Sequence, residues 1–213
     1  MLENLQKEVM EINNRILALC ENDEKINKRY KGCQIYYSPF VKNPDFMIVG
    51  INPGSGYFRE KGERIQSFEP IDNYKSMDVM GEELKLLFRM MNKEDLFEKS
   101  FITNTYFLST DNQKELDNLL SLLPEIFKIE VKQKAAEWFK TLVEVVSPKI
   151  ILCTAYKSFG FVNIFYDNGI TINNQSEYFK EGKIGSIPII ACKRKYVTIE
   201  NKQHLINRLT ELL

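Results

Sequence analysis

Three short runs constrain this chain more than any other feature: Phe46-Met47-Ile48-Val49, Lys149-Ile150-Ile151-Leu152-Cys153 and Ile187-Pro188-Ile189-Ile190-Ala191. Each is apolar without alternation, so each predicts a strand covered on both faces, as in parallel sheets. Phe101 to Phe107 (Phe-Ile-Thr-Asn-Thr-Tyr-Phe) predicts a fourth strand. Apolar positions at three- and four-residue spacing predict helices over 2–28, 77–91, 125–146 and 199–213, with helix-like spacing from 116 to 123. Pro148 ends the third of these. A short helix over 158–166 and a hairpin or excursion over 170–184 complete the reading. Strands alternating with helices predict an α/β fold, its mostly parallel sheet covered by helices on both faces. Residues 1–213 read as a single domain, with 1–28 as an N-terminal helical extension.

Between the first strand and the second helix, residues 55–75 are polar, carry Gly56 and Gly62, and show no period. A long loop directly after a buried strand is usually functional. In open α/β sheets ligands bind outside the carboxyl ends of the strands. Three such ends are distinctive: Gly50-Ile51-Asn52-Pro53-Gly54, Asn104, and Cys192-Lys193-Arg194-Lys195-Tyr196. Each has a plain reading beside a functional one. Asn-Pro-Gly is a turn former, in which proline fixes φ and glycine permits positive φ. Asn104 is either a satisfied structural amide or a reader of a ligand's donor–acceptor edge. The basic triplet is either a solvated strand end or a phosphate contact.

Charge and motif content remove several classes of function. Twenty-nine Lys and Arg balance 29 Asp and Glu, so any contact with a polyanion depends on a local patch. Leu2, Leu5, Val9, Ile12, Ile16 and Leu19 are interrupted by polar residues, which excludes a signal-peptide core. No run has the apolar length of a membrane span. Cys20, Cys33, Cys153 and Cys192 form no CxxC pair, so buried thiols in a reducing compartment are expected and a metal site is not. A cytoplasmic location, no metal and no cofactor are the corresponding expectations. Neither a Walker loop nor GxGxxG occurs. His204 is the sole histidine, so Ser–His or Cys–His catalysis would have to use it; a helix-surface residue is the plainer reading.

The apolar strand running into Gly50-Ile51-Asn52-Pro53-Gly54 resembles the first motif of the uracil-DNA glycosylase superfamily, on its mismatch-specific and single-strand-selective branches. Ser-Phe-Ile-Thr-Asn104-Thr-Tyr-Phe-Leu falls where that family carries its base-reading asparagine, and Ile150 to Thr154 resembles its third strand. The likeness covers about residues 35–200. It implies a three-layer sandwich with a central four-stranded parallel sheet. It also implies hydrolysis of the N-glycosidic bond of a deaminated or modified, uracil-type base in DNA, by base flipping and water attack. Asn52 would position the attacking water, orienting it without acting as a strong base. Gly50, Ile51, Pro53 and Gly54 would line the pocket, and Asn104 would hydrogen-bond the extruded base. Phe68 would stack on that base, with Phe58 and Tyr57 as rivals. The implied partner is DNA, single-stranded DNA included, and the implied state is a monomer. The family's second signature, a His- or Asn-Pro-Ser segment, is replaced here by Cys192 to Tyr196. Lys193 or Arg194 could supply the missing charge and touch phosphate. The alternative is a catalytically altered or inactive member that binds nucleic acid or a nucleobase without cleaving it.

Overall fold

A computed structural model describes residues 1–67, 79–154, 174–175, 179–192 and 199–213. It is an α/β protein whose chain divides into two compact units. Unit one comprises Met1–Ile35, Ile51–Glu69 and Asn104–Leu142; unit two comprises Tyr36–Gly50, Pro70–Thr103 and Val143–Leu213.

Strands and helices are numbered in chain order. Unit two is built on a six-stranded sheet. Its spatial order is β4 (Phe101–Asn104), β2 (Phe46–Gly50), β5 (Ile150–Cys153), β8 (Ile187–Cys192), β7 (Phe179–Ile184) and β6 (Asn174–Gln175). Phe46 lies opposite Ile150 and Ile151 opposite Ile189 in two parallel ladders. The four strands expected from sequence are thus neighbours, but the sheet is larger than the expected four and is mixed. The extra strands come from the stretch expected to hold a hairpin or excursion. Ile184 pairs with Ile187 across the two-residue loop Gly185-Ser186, and Gly185 has φ +58°. A two-residue hairpin loop needs positive φ to match strand twist, and glycine supplies it. The antiparallel ladder then runs back to Phe179 opposite Cys192. The short helix expected over 158–166 lies outside the described residues.

Phe46, Ile48, Ile102, Ile150, Leu152 and Ile190 share one buried cluster with residues from three helices. These are Leu84, Leu87 and Phe88 of α4 (Val79–Met90), Phe97 of α5 (Glu94–Glu98), and Leu205, Ile206 and Leu209 of α8 (Ile199–Glu211). The Phe88 ring meets Phe46 edge-on, with centroids 5.0 Å apart. Each fully buried side chain of this size contributes ~1.5–3 kcal/mol, so the apolar runs stabilise the sheet they form. Arg208 of α8 donates two hydrogen bonds to the buried Glu181 of β7, at 2.8 and 2.5 Å.

In unit one the expected helix over 2–28 is two helices, α1 (Leu2–Asn22) and α2 (Glu24–Arg29). Asp23 breaks it with extended backbone, and its carboxylate caps α2 by accepting from the amides of Lys25 and Ile26. Leu5, Val9, Ile12, Ile16 and Cys20 form the buried stripe of α1. Buried within the same helix, Asn13 accepts a 2.6 Å hydrogen bond from the Tyr30 hydroxyl. Arg15 grips Glu130 of α7 (Glu125–Val146) with two hydrogen bonds, and Trp138 of α7 donates to Glu8. Two strands not predicted from sequence, β1 (Gly32–Gln34) and β3 (Ile65–Ser67), form a parallel pair. Gly32 makes that pair possible. Its φ is +104°, and a Cβ there would stand 1.9 Å from the Ile65 carbonyl oxygen. The stretch expected to be a long loop over 55–75 contains β3 and a short helix, α3 (Gly56–Lys61). Among the described residues no helix is long and apolar enough to cross a membrane.

Candidate active site

The chain leaves β2 at Ile51 and leaves β4 at Thr105, and the two departing segments are joined at once. The Ile51 carbonyl accepts from the Tyr106 amide at 2.8 Å and from the Thr105 hydroxyl at 2.9 Å. The carboxyl ends of these neighbouring strands therefore meet. Three more bonds continue the seam. The Thr110 amide donates to the Pro53 carbonyl at 3.2 Å, the Ser109 hydroxyl to the Gly54 carbonyl at 2.9 Å, and Asn52 to the Thr110 hydroxyl oxygen at 3.0 Å. Residues 105–110 are held on the other side by β1. The Gln34 amide donates to Phe107 at 2.9 Å, and the Ser109 amide donates to Gly32 at 2.7 Å. The stacked Phe107 and Trp138 rings anchor the middle of the segment. Expected as a strand through Phe107, the segment leaves β4 after Asn104 because Thr105 and Tyr106 bond to the turn.

These bonds fix which way Asn52 faces. Its Nδ2 donates to the Pro53 carbonyl at 2.9 Å and to Thr110 Oγ1. A carbonyl only accepts, so the amide nitrogen, not the oxygen, must face it. The Thr110 hydroxyl proton is committed to the Asn112 carbonyl at 2.9 Å, so toward Asn52 that oxygen offers only lone pairs. Both N–H bonds of Asn52 are thereby occupied. Its Oδ1 accepts no hydrogen bond among the described residues, and the side chain is half-buried. Any group that meets this oxygen must be a donor, such as a water or a hydroxyl.

Asn104 closes β4 with 4 % of its surface exposed, and among the described residues its amide has no side-chain hydrogen bond. Asn52 and Asn104 each sit one residue from the Thr105–Ile51 hydrogen bond. The turn's own carbonyls are met by backbone amides and neutral hydroxyls. Burial and the nearby Asp117 push the Tyr106 phenol far above its ordinary range, so it too stays uncharged. Such a site can orient a nucleophile but holds no base among these groups to deprotonate it.

The other expected residues divide as follows. Gly50 is the buried last residue of β2, Ile51 is half-buried and Pro53 is buried. Gly54 is exposed and corrects the turn reading: its φ is not positive, and a Cβ there would meet nothing within 4 Å. Neither backbone nor packing requires a glycine there. Phe68, Lys193 and Arg194 lie outside the described residues. The rivals Tyr57 and Phe58 are both half-buried on α3. Tyr57 donates to Glu63, and the Lys31 ammonium sits 4.3 Å over the Phe58 ring. His204 is exposed on α8, as expected of a helix-surface residue. Among the described residues no cluster of His, Cys, Asp or Glu could hold a metal ion. Thr110 was not anticipated from sequence. Ser-Thr-Asp-Asn before a helix reads as a cap, and Asn112 does cap α6 (Gln113–Leu122).

No protein-family model matches this chain, and no curated protein matches it. A crystal structure of a domain of unknown function (DUF1537) from Bordetella bronchiseptica, with bound citrate, is similar over 79% of this chain. The identity is 11% and the TM-score 0.36. The match covers 41% of that chain, so this protein spans less than half its length, and so slight a likeness bears on neither ligand nor activity.

Proposed function

We propose that this chain is a DNA glycosylase-like enzyme that hydrolyses the N-glycosidic bond of a deaminated or modified, uracil-type base. The fold would be a variant of the uracil-DNA glycosylase sandwich, its sheet extended by the antiparallel strands β7 and β6. The observation that carries the reading is the fixed amide of Asn52, with both N–H bonds tied back and no donor on its Oδ1 among the described residues. In the reaction, the C1′–N bond breaks as the base departs with its electron pair. Water adds to the cationic C1′ and loses a proton to solvent. Asn52 Oδ1 accepts from that water and aims its lone pair at C1′, a positional contribution that needs no strong base. Asn104, buried and with no side-chain hydrogen bond among the described residues, supplies both a donor and an acceptor to the edge of an extruded base. DNA, single-stranded DNA included, is the proposed partner.

The test is release of free base from single- and double-stranded oligonucleotides carrying uracil, hypoxanthine, xanthine or hydroxymethyluracil. Release from at least one substrate is expected, with a loss of ~100-fold or more in Asn52→Ala, the scale on which oriented reacting groups act. Silence across the panel sinks the glycosylase reading, and an undiminished Asn52→Ala enzyme sinks the role of Asn52.

One observation favours a second reading, binding without cleavage: Cys192 to Tyr196 lacks the proline, serine and histidine of the family's second signature. That reading predicts salt-sensitive binding of these oligonucleotides, without base release, weakened by Lys193→Ala and Arg194→Ala.

A further inference from the structure

We infer that Thr110 is a positioning residue, whose hydroxyl sets the orientation of the Asn52 side chain. The inference rests on the reading of Asn52 as the water-orienting group and names what holds that group in place. Thr110 is wholly buried. Its hydroxyl hydrogen points to the Asn112 carbonyl at 2.9 Å, which turns the oxygen lone pairs toward Asn52 Nδ2 at 3.0 Å. Its amide donates to the Pro53 carbonyl, the other acceptor that Asn52 uses. One residue therefore holds Asn52 twice: directly through Oγ1, and indirectly by fixing the carbonyl that receives the second N–H. The three Ser and Thr hydroxyls of this segment divide the work. Thr105 and Ser109 donate to the backbone of the turn, at Ile51 and Gly54, whereas Thr110 alone among them meets the Asn52 side chain. Without the Thr110 oxygen, one Asn52 N–H has no partner and the amide can rotate about its last torsion. The acceptor then no longer points one way.

Thr110→Val keeps the shape and removes the hydroxyl; Thr110→Ser keeps the hydroxyl and removes the methyl. The first measurement does not depend on activity. In nitrogen-15-labelled protein, the two side-chain amide protons of Asn52 should resonate apart and exchange slowly with solvent. Thr110→Val should move the proton that bonds the Thr110 oxygen toward its free-amide position and speed its exchange, and Thr110→Ser should restore both. Unchanged Asn52 signals in a folded Thr110→Val protein overturn the inference, whatever the protein does to DNA. The second measurement is single-turnover base release. Thr110→Val should lower the chemical step by about tenfold to a hundredfold with little change in KM, and Thr110→Ser should recover most of it. If the wild-type protein releases base and Thr110→Val matches it, the inference fails while the glycosylase reading stands. If the wild-type protein releases none, that reading fails, and the amide signals alone decide for or against Thr110.

Discussion

Asn52 holds its position by donating, and a residue that cannot donate should lose it. Asn52→Asp sets a carboxylate against the Pro53 carbonyl and the Thr110 lone pairs, so we expect a loss of ~1–3 kcal/mol in urea unfolding. Gly32→Ala should be worse placed still. The substitution brings positive φ to a residue with a Cβ and drives that Cβ into the Ile65 carbonyl, so a loss above ~1–3 kcal/mol is expected in the same assay. Cys33, beside it, carries a pH dependence. Burial pushes its thiol from 9.0 up to about 12. Below pH 9.0 the folded and unfolded chains both keep the proton. Above it only the unfolded chain gives the proton up, so stability falls from pH 9.0 until about 12, by up to ~4 kcal/mol in total. Urea midpoints measured across that range should fall less steeply in Cys33→Ala. At this scale the sequence reveals Asn52 and Asn104 because an amide beside or inside an apolar run stands out. It hides Thr110, whose neighbours read as an ordinary helix cap, and it hides Gly32, whose need comes from a strand more than thirty residues away.

Elements were legible where burial is two-sided. The runs that became β2, β5 and β8 are apolar at every position, and tertiary context cannot easily override that. The long amphipathic helices were legible for the same reason, through their stripe. β1 and β3 were not, because Gly-Cys-Gln and Ile-Gln-Ser carry no period and exist as strands only through each other. β7 was blurred by its composition, Phe-Lys-Glu-Gly-Lys-Ile, which buries Glu181. That carboxylate is tolerable because Arg208 reaches it from α8, and the contact lifts the Arg208 guanidinium above its usual range. Removing the arginine alone leaves a buried charge. Arg208→Ala should cost ~2–3 kcal/mol, somewhat under the 3–5 of a fully enclosed pair because Arg208 is partly solvated. The double change Arg208→Met with Glu181→Leu should recover most of that loss in thermal unfolding, since neither charge then remains.

Across the whole molecule all four cysteines are buried thiols outside any disulfide, so a thiol reagent should find none quickly in the native protein and four after denaturation. A fast-reacting thiol in the native state would contradict the burial. The α/β class was legible at this scale from the alternation of elements, but the division into two units was not. Each unit is assembled from three separate stretches, and pairing between distant stretches leaves no local pattern. That interleaving fixes an order of events during synthesis. Unit one is complete in sequence at Leu142, and with it Asn52, Asn104 and the hydroxyls that brace the turn. At that moment β5, β6, β7 and β8 have yet to be made, so the residues of the site emerge on a nascent chain whose main sheet still lacks four of its six strands.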